Sequence, residues 1–158
     1  KKFNSSKRYA VFKQKHFYYK FNLQSESHPY WYGSKICLKK YLKSPQWLRE
    51  LKFKKRPFWR FDKYRLNNII EEGGWHFCNL KSPEDLLYKY KNLCETNDPV
   101  NFKEKIKEKY LNLESIRNKV NFGDDIIGRD HKYKKIKIDK SFPKYLLENL
   151  DNYSKWVV

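Results

Sequence analysis

The sequence predicts a mixed α/β fold, with strands in its first half and helices in its second. Three observations predict it. Residues 8–21, RYAVFKQKHFYYKF, are dense in aromatic and β-branched side chains, which pack well on a pleated surface. Helix-start signals gather after residue 80, Ser82-Pro83-Glu84-Asp85 being the strongest. No internal repeat, low-complexity linker or compositional break divides the 158 residues, so 1–158 reads as a single domain.

Taken in order, residues 8–21 read as one long strand or a strand and a half. His28-Pro29 and Tyr32-Gly33-Ser34 punctuate a loop rich in Trp and Tyr. Ser44-Pro45 fits an N-cap with Pro at the first helical position, and QWLRELK continues as a short helix. Phe58 to Phe61 reads as a short strand. Leu66 to Glu72 reads as another, entering Gly73-Gly74, with Trp75-His76-Phe77 extended beyond. The helix that opens at Ser82 places two acids near the positive end of its dipole and continues through LLYKYKNLC. Asp98-Pro99 opens a third helical run to about Tyr110. Leu113 to Val120 forms a fourth, which Gly123 stops. Lys and Ile alternate over 134–138, the pattern of an edge strand guarded by lysines. Phe142-Pro143 precedes a last helix, KYLLENLDNYSKWV, with Leu146, Leu147 and Leu150 on one stripe.

Composition narrows the classes. Aromatic residues are 18% of the chain, so Tyr, Phe and Trp must supply much of the core, which excludes a disordered tail. The net charge is +18, yet only seven of the 36 basic residues are Arg. Arg is the preferred side chain for bidentate contacts to phosphates and bases, so a nucleic-acid role is the weaker reading. A Lys-rich solvated surface, or attraction to anionic lipid or phosphorylated substrates, accounts for the same charge. No stretch approaches the roughly 18 consecutive apolar residues of a membrane span, and no signal-peptide pattern opens the chain. These features predict a cytoplasmic protein, peripheral at most to a membrane surface. Cys37, Cys78 and Cys94 are widely spaced without a CxxC pair, so neither a disulfide framework nor a zinc site is expected. They read as small buried hydrophobes in a reducing compartment. Met is absent, which predicts further sequence upstream of Lys1.

The segment Ile69 to Phe77, IIEEGGWHF, carries the most chemistry. Two glycines permit unusual backbone geometry and close approach of a ligand. Trp75 can stack on a sugar or base, and His76 can ligate a metal or pair with phosphate. A β-bulge or tight turn with a buried Trp and a satisfied His fits the same residues.

Gly73-Gly74-Trp75-His76-Phe77, followed by Leu80 and the Ser82-Pro83-Glu84 helix start, resembles the hallmark of glycosyltransferase family 17. This is the family of the β-1,4-mannosyl-glycoprotein β-1,4-N-acetylglucosaminyltransferases and their bacterial relatives. Further blocks are similar to the bacterial type: Phe12-Lys13-Gln14-Lys15 into Phe17-Tyr18-Tyr19, Trp31-Tyr32-Gly33-Ser34-Lys35, Ser44-Pro45-Gln46-Trp47-Leu48-Arg49, Phe142-Pro143-Lys144-Tyr145-Leu146 and Lys155-Trp156. The resemblance spans most of the chain. It implies the C-terminal portion of a GT-A-like nucleotide-sugar transferase domain, inverting and metal-dependent. UDP-N-acetylglucosamine (UDP-GlcNAc) is the implied donor, Mn or Mg the implied divalent ion, and a glycan the acceptor. A eukaryotic member would work in the Golgi lumen. The family carries an Asp-x-Asp metal motif in an N-terminal half, and this chain has none, so the metal and most of the nucleotide site are expected upstream of Lys1.

Glycosyl transfer needs a base for the acceptor hydroxyl and positive charge on the departing diphosphate. The resemblance points to Glu72 as base or acceptor contact, with Glu71 and Asp62 as alternatives, and to His76 for metal or diphosphate. Lys35 and Arg49 are candidates for phosphate or acceptor hydroxyls. Trp31, Trp47 and Trp75, together with Gly73 and Gly74, are candidates for the sugar-nucleotide surface. As plain sequence features these residues also fit solvated charges and packed aromatics. Two other classes remain: a basic, aromatic-rich module for single-stranded nucleic acid, and a glycan-binding domain without turnover.

Overall fold

The computed structural model describes residues 3–51, 68–97 and 109–158. The expected strand at Phe58–Phe61, the candidate Asp62 and most of the expected third helix lie outside them. The chain has mixed α/β content, in which strands and helices interleave. It forms β1 (Tyr9–Phe12), β2 (Gln14–Tyr18), β3 (Leu23–Ser25), β4 (Tyr30–Trp31), β5 (Lys35–Cys37), α1 (Pro45–Glu50), β6 (Ile69–Ile70), β7 (Trp75–Cys78), α2 (Pro83–Lys91), α3 (Cys94–Asn97), α4 (Leu113–Phe122), β8 (Tyr133–Lys135) and α5 (Lys144–Glu148). A helix, α1, precedes β6 and β7, and a strand, β8, follows α4, where the sequence places a short helix and an edge strand, so a simple strands-then-helices order is not confirmed. Among the described residues no helix is long and apolar enough to cross a membrane.

Two compact units are distinguished, one drawn from Lys1–Lys15 and Tyr30–His76, the other from His16–Pro29 and Phe77–Val158. In the first, β1 is the central strand, antiparallel to β5 and parallel to β6. Tyr9, Ala10 and Val11 of β1 are all buried, as a strand covered on both faces requires. Tyr9, Val11 and Leu51 pack with Tyr32, Tyr41, Trp47, Leu48 and Ile69. The helix α1 starts as its residues dictate: the Ser44 hydroxyl accepts the Trp47 N–H at 3.0 Å, and Pro45 occupies the first turn.

In the second unit, β3 lies between the His16–Tyr18 end of β2 and β8. Lys134 and Lys135 of β8 are exposed, as expected of a guarded edge. The core joins Tyr19 and Leu23 to Leu86 and Tyr90 of α2, Ile116 and Val120 of α4, and Ile126, Ile127 and Tyr133. Ser82 caps α2 by accepting the Asp85 N–H at 3.1 Å. Ser82→Ala is expected to cost about 1 kcal/mol and lower the melting midpoint by about 2–4 °C, read by circular dichroism. An unchanged midpoint would show that Pro83 alone suffices to start the helix.

Two helices end sooner than their apolar stripes suggest, and both stop at an asparagine. The Asn92 side-chain amide donates to the Tyr88 carbonyl at 2.8 Å, and that of Asn149 donates to the Tyr145 carbonyl at 2.9 Å. Each amide takes the carbonyl four residues back in place of the asparagine's own N–H, which turns to the carbonyl three residues back. The chain continues into α3 after the first and a 3₁₀ turn, Leu150–Trp156, after the second. Gly123 ends α4 as expected, at φ 71°, where a side-chain carbon would lie 2.2 Å from the Tyr133 carbonyl oxygen. The cysteines are free thiols, and none is the buried hydrophobe expected: Cys37 and Cys78 are half-buried and Cys94 is exposed.

Candidate functional site

In the first unit the Glu71–Gly74 turn is pinned to the backbone of residues 13–15. Lys13 N–H donates to Ile70 O at 3.1 Å, Gly73 N–H to Lys13 O at 2.8 Å, and Lys15 N–H to Gly74 O at 2.9 Å. The glycines are required by this approach. A Cβ on Gly73 would lie 2.7 Å from Phe12 Cβ and 2.9 Å from Lys13 N, and Gly74 sits at φ 107°. Glu72 itself adopts φ 53°, uncommon for a residue with a side chain.

Around this turn the same unit gathers aromatic rings. Trp31 on β4 stacks on His76 with centroids 4.9 Å apart and planes 12° from parallel. Gly33 makes room for that indole: a side chain there would overlap Trp31 Nε1. Tyr30 and Trp31 are 43% and 42% exposed, large apolar surface left in water. Lys13 lies 4.5 Å from the Tyr30 ring centre and pairs with the Glu71 carboxylate at 3.0 Å. That bond to Glu71 raises the Lys13 pKa. Gln14 Nε2 donates to the Trp75 carbonyl at 3.4 Å.

Partial burial lowers the His76 pKa from its ordinary value. As pH falls, the unfolded chain therefore takes the proton first. The stability contributed by neutral His76 is complete above about pH 6.5 and is lost as pH drops below it. Stacking makes this observable. Quenching of Trp31 fluorescence is expected to deepen on acidification, with a midpoint below 6.5, and to vanish in Trp31→Phe. A midpoint above 6.5 would contradict the desolvated environment.

The sequence candidates thus fall into two places in this unit. Glu71, Glu72, Gly73, Gly74, Trp75, His76 and Trp31 belong to the turn and its aromatic neighbours. Lys35, Arg49 and Trp47 meet elsewhere: Lys35 Nζ donates to the Arg49 carbonyl at 2.6 Å, and Trp47 packs edge-on to Tyr9 at 5.4 Å. Lys13 and Tyr30 were not singled out by sequence reasoning. Only the pairing of β2 with β4, which sets Lys15 opposite Tyr30 and Gln14 opposite Trp31, brings them to the turn.

In the second unit, a buried carboxylate organises the segment after α4. Asp125 Oδ1 accepts the N–H groups of Ile127 and Arg129, each at 3.1 Å. Its Oδ2 accepts the Arg129 guanidinium at 2.8 Å and the Tyr133 hydroxyl at 3.3 Å. The neighbouring Tyr19 hydroxyl accepts the Ile126 N–H at 3.3 Å, and burial pushes the Tyr19 pKa well up. With its acceptor sites filled, Asp125 is a structural clasp. The signal in the sequence is Asp125 four residues before Arg129, across Gly128, a spacing that lets the guanidinium fold back on the acid.

His16 and Cys78, also in this unit, bring an imidazole nitrogen and a sulfur within 4.8 Å of each other. Burial pushes the Cys78 thiol pKa up and the Tyr18 phenol to about 12. His76 precedes Cys78 by two positions on β7, the spacing that puts both on one face of a strand. Nitrogen and sulfur donors suit zinc-like ions. Mn and Mg take oxygen ligands, so this donor set does not fit the ion that the resemblance implies. Among the described residues no carboxylate cluster of that kind occurs. The chain matches no protein-family model, no curated protein and no solved structure at a significant level.

Proposed function

We propose that the chain is part of a GT-A-like glycosyltransferase that transfers N-acetylglucosamine from UDP-GlcNAc to a glycan acceptor with inversion. One observation supports this most: the Gly73-Gly74 turn lies beside the half-exposed Tyr30 and the Trp31–His76 stack. Partly exposed aromatic rings beside a turn that carries carboxylates are what a pyranose ring stacks on and hydrogen-bonds to. Glu72, exposed on the turn, takes the proton of the acceptor hydroxyl as that oxygen attacks the anomeric carbon and the bond to the diphosphate breaks. Glu71 is held by Lys13 and serves as the positioning partner. Neutral His76 offers a hydrogen bond to a sugar hydroxyl or the diphosphate. Since the described residues do not fit the implied Mn or Mg, charge on the leaving diphosphate would be met by cationic side chains. The excess of Lys favours work in the cytoplasm against an anionic membrane surface.

Titration calorimetry of the chain with UDP-GlcNAc, UDP and a mannose-terminated oligosaccharide tests this reading. Trp31→Ala is expected to weaken sugar binding at least about tenfold, equivalent to about 1.4 kcal/mol. Sugar binding without any contribution from UDP would favour a glycan-binding domain. Tight, salt-sensitive binding to oligo(dT) with no response to UDP-GlcNAc or glycan would replace the proposal by a nucleic-acid module.

A further inference from the structure

Away from the Gly73 turn, the second unit contains a cleft of ≈ 270 Å³. Pro83, Leu86, Val120 and Trp156 give it an apolar floor, and Lys20, Lys81, Arg117 and Lys155 stand around it. We infer that this cleft binds a small anionic amphiphile, a phosphate monoester of an aliphatic alcohol, with the chain on the floor and the phosphate among the lysines.

The charge argument survives a count of the partners already present. Arg117 donates to Glu84 at 2.9 Å, so that pair is neutral. Lys20 gives one of its three N–H donors to the Lys155 carbonyl at 2.6 Å, leaving two. Lys81 and Lys155 are exposed and carry no ion pair among the described residues. Three lysines therefore converge on one opening, with no neutralising acid on them among the described residues, an arrangement that repels itself until an anion enters. Burial lowers the Lys20 pKa, consistent with an ammonium that lacks a counter-charge.

The floor decides what else the ligand carries. Leu86 and Val120 come from the unit's core, on α2 and α4, and with Pro83 they present aliphatic carbon. Of the neutral polar groups, the Ser82 hydroxyl is already engaged, accepting the Asp85 N–H and donating to the Asp85 carboxylate at 2.9 Å. Among the described residues that line the cleft, Asn121 is the neutral side chain left to read a base edge. The Lys155 ammonium lies 5.3 Å from the centre of the Trp156 ring, where a stacked base would sit. An aliphatic chain needs no polar partners and fits such a floor. The volume lies just below the range of about 300–1,000 Å³ typical of sites for drug-sized ligands, so the ligand is small or enters only in part.

Calorimetry with decyl phosphate, below its micellar concentration, tests the inference on the whole chain. Decyl phosphate is expected to bind at least tenfold tighter than inorganic phosphate and than uridine monophosphate. The double variant Lys81→Ala/Lys155→Ala is expected to lose at least tenfold, with an unchanged circular dichroism spectrum. Lys39→Ala/Lys40→Ala removes the same charge from exposed positions of the other unit and should bind as the parent does. Equal losses in both double variants would reduce the effect to net charge and overturn the site. Uridine monophosphate binding as tightly as decyl phosphate would overturn the aliphatic ligand. None of these readouts depends on UDP-GlcNAc or on Trp31, so the cleft and the proposed transferase can fail separately.

Discussion

Replacing Asp125 by alanine is expected to destabilise the chain by about 3 kcal/mol, the lower end of the cost of breaking a buried ion pair. For a chain of this size that lowers the melting midpoint by about 6–12 °C. The carboxylate is 2% exposed and satisfies two backbone N–H groups, the Arg129 guanidinium and the Tyr133 hydroxyl. Alanine strands all of them at once. Arg129 can turn its partly exposed head to water, so the backbone N–H groups and the tyrosine bear most of the penalty. Asp125→Asn keeps the shape and two of the acceptor contacts, and should lose less than half as much. Thermal melts of both variants check the ordering. If Asp125→Ala melts within about 2 °C of the parent, the clasp is dispensable, because that shift corresponds to under about 1 kcal/mol. The adjacent Asp124 is held separately, paired with Lys132 at 2.6 Å.

Gly73→Ala is expected to cost about 1–3 kcal/mol, the usual penalty for overpacking, and, on the function proposed for the turn, to abolish sugar binding. The added carbon would sit inside van der Waals contact of Phe12 Cβ and the Lys13 amide nitrogen. Backbone cannot rotate away as a flexible side chain can. Relief must come from the Gly73 N–H to Lys13 O bond, at the point where the turn is tied to the strand. Displacing it moves Glu72 and the strand that carries His76. Trp31 fluorescence, quenched by its stacked neighbour, should rise in parallel with the loss of binding. Normal UDP-GlcNAc or glycan binding by a stably folded Gly73→Ala chain would separate the turn from the function proposed for it. Gly74→Ala makes a useful contrast. Its Cβ would meet nothing closer than 3.9 Å, so its penalty comes from φ alone and should be smaller.

Local chemistry determined much of this protein without reference to the rest of the chain. Ser44-Pro45 and Ser82-Pro83 start helices because a hydroxyl and a preset φ act within one turn, and Gly123 ends one because its φ is positive. The aromatic and β-branched run at 8–21 became β1 and β2, and Gly73-Gly74 became a tight turn. Those features depend on neighbours within a few residues, so they were legible. What the pattern of apolar residues hid was decided by tertiary contacts. Asn92 and Asn149 cut their helices short by bonding carbonyls, an effect that hydrophobic periodicity does not register. The partners of β6 and β8 lie far away in sequence, on β1 and β3, and strand pairing at that range is not written in local pattern. Lys13, Tyr30 and Glu71 meet only through strand register, and the lysines around the cleft come from segments as distant as Lys20 and Lys155. The role of Asp125 depends on burial, and burial is a property of the folded chain alone.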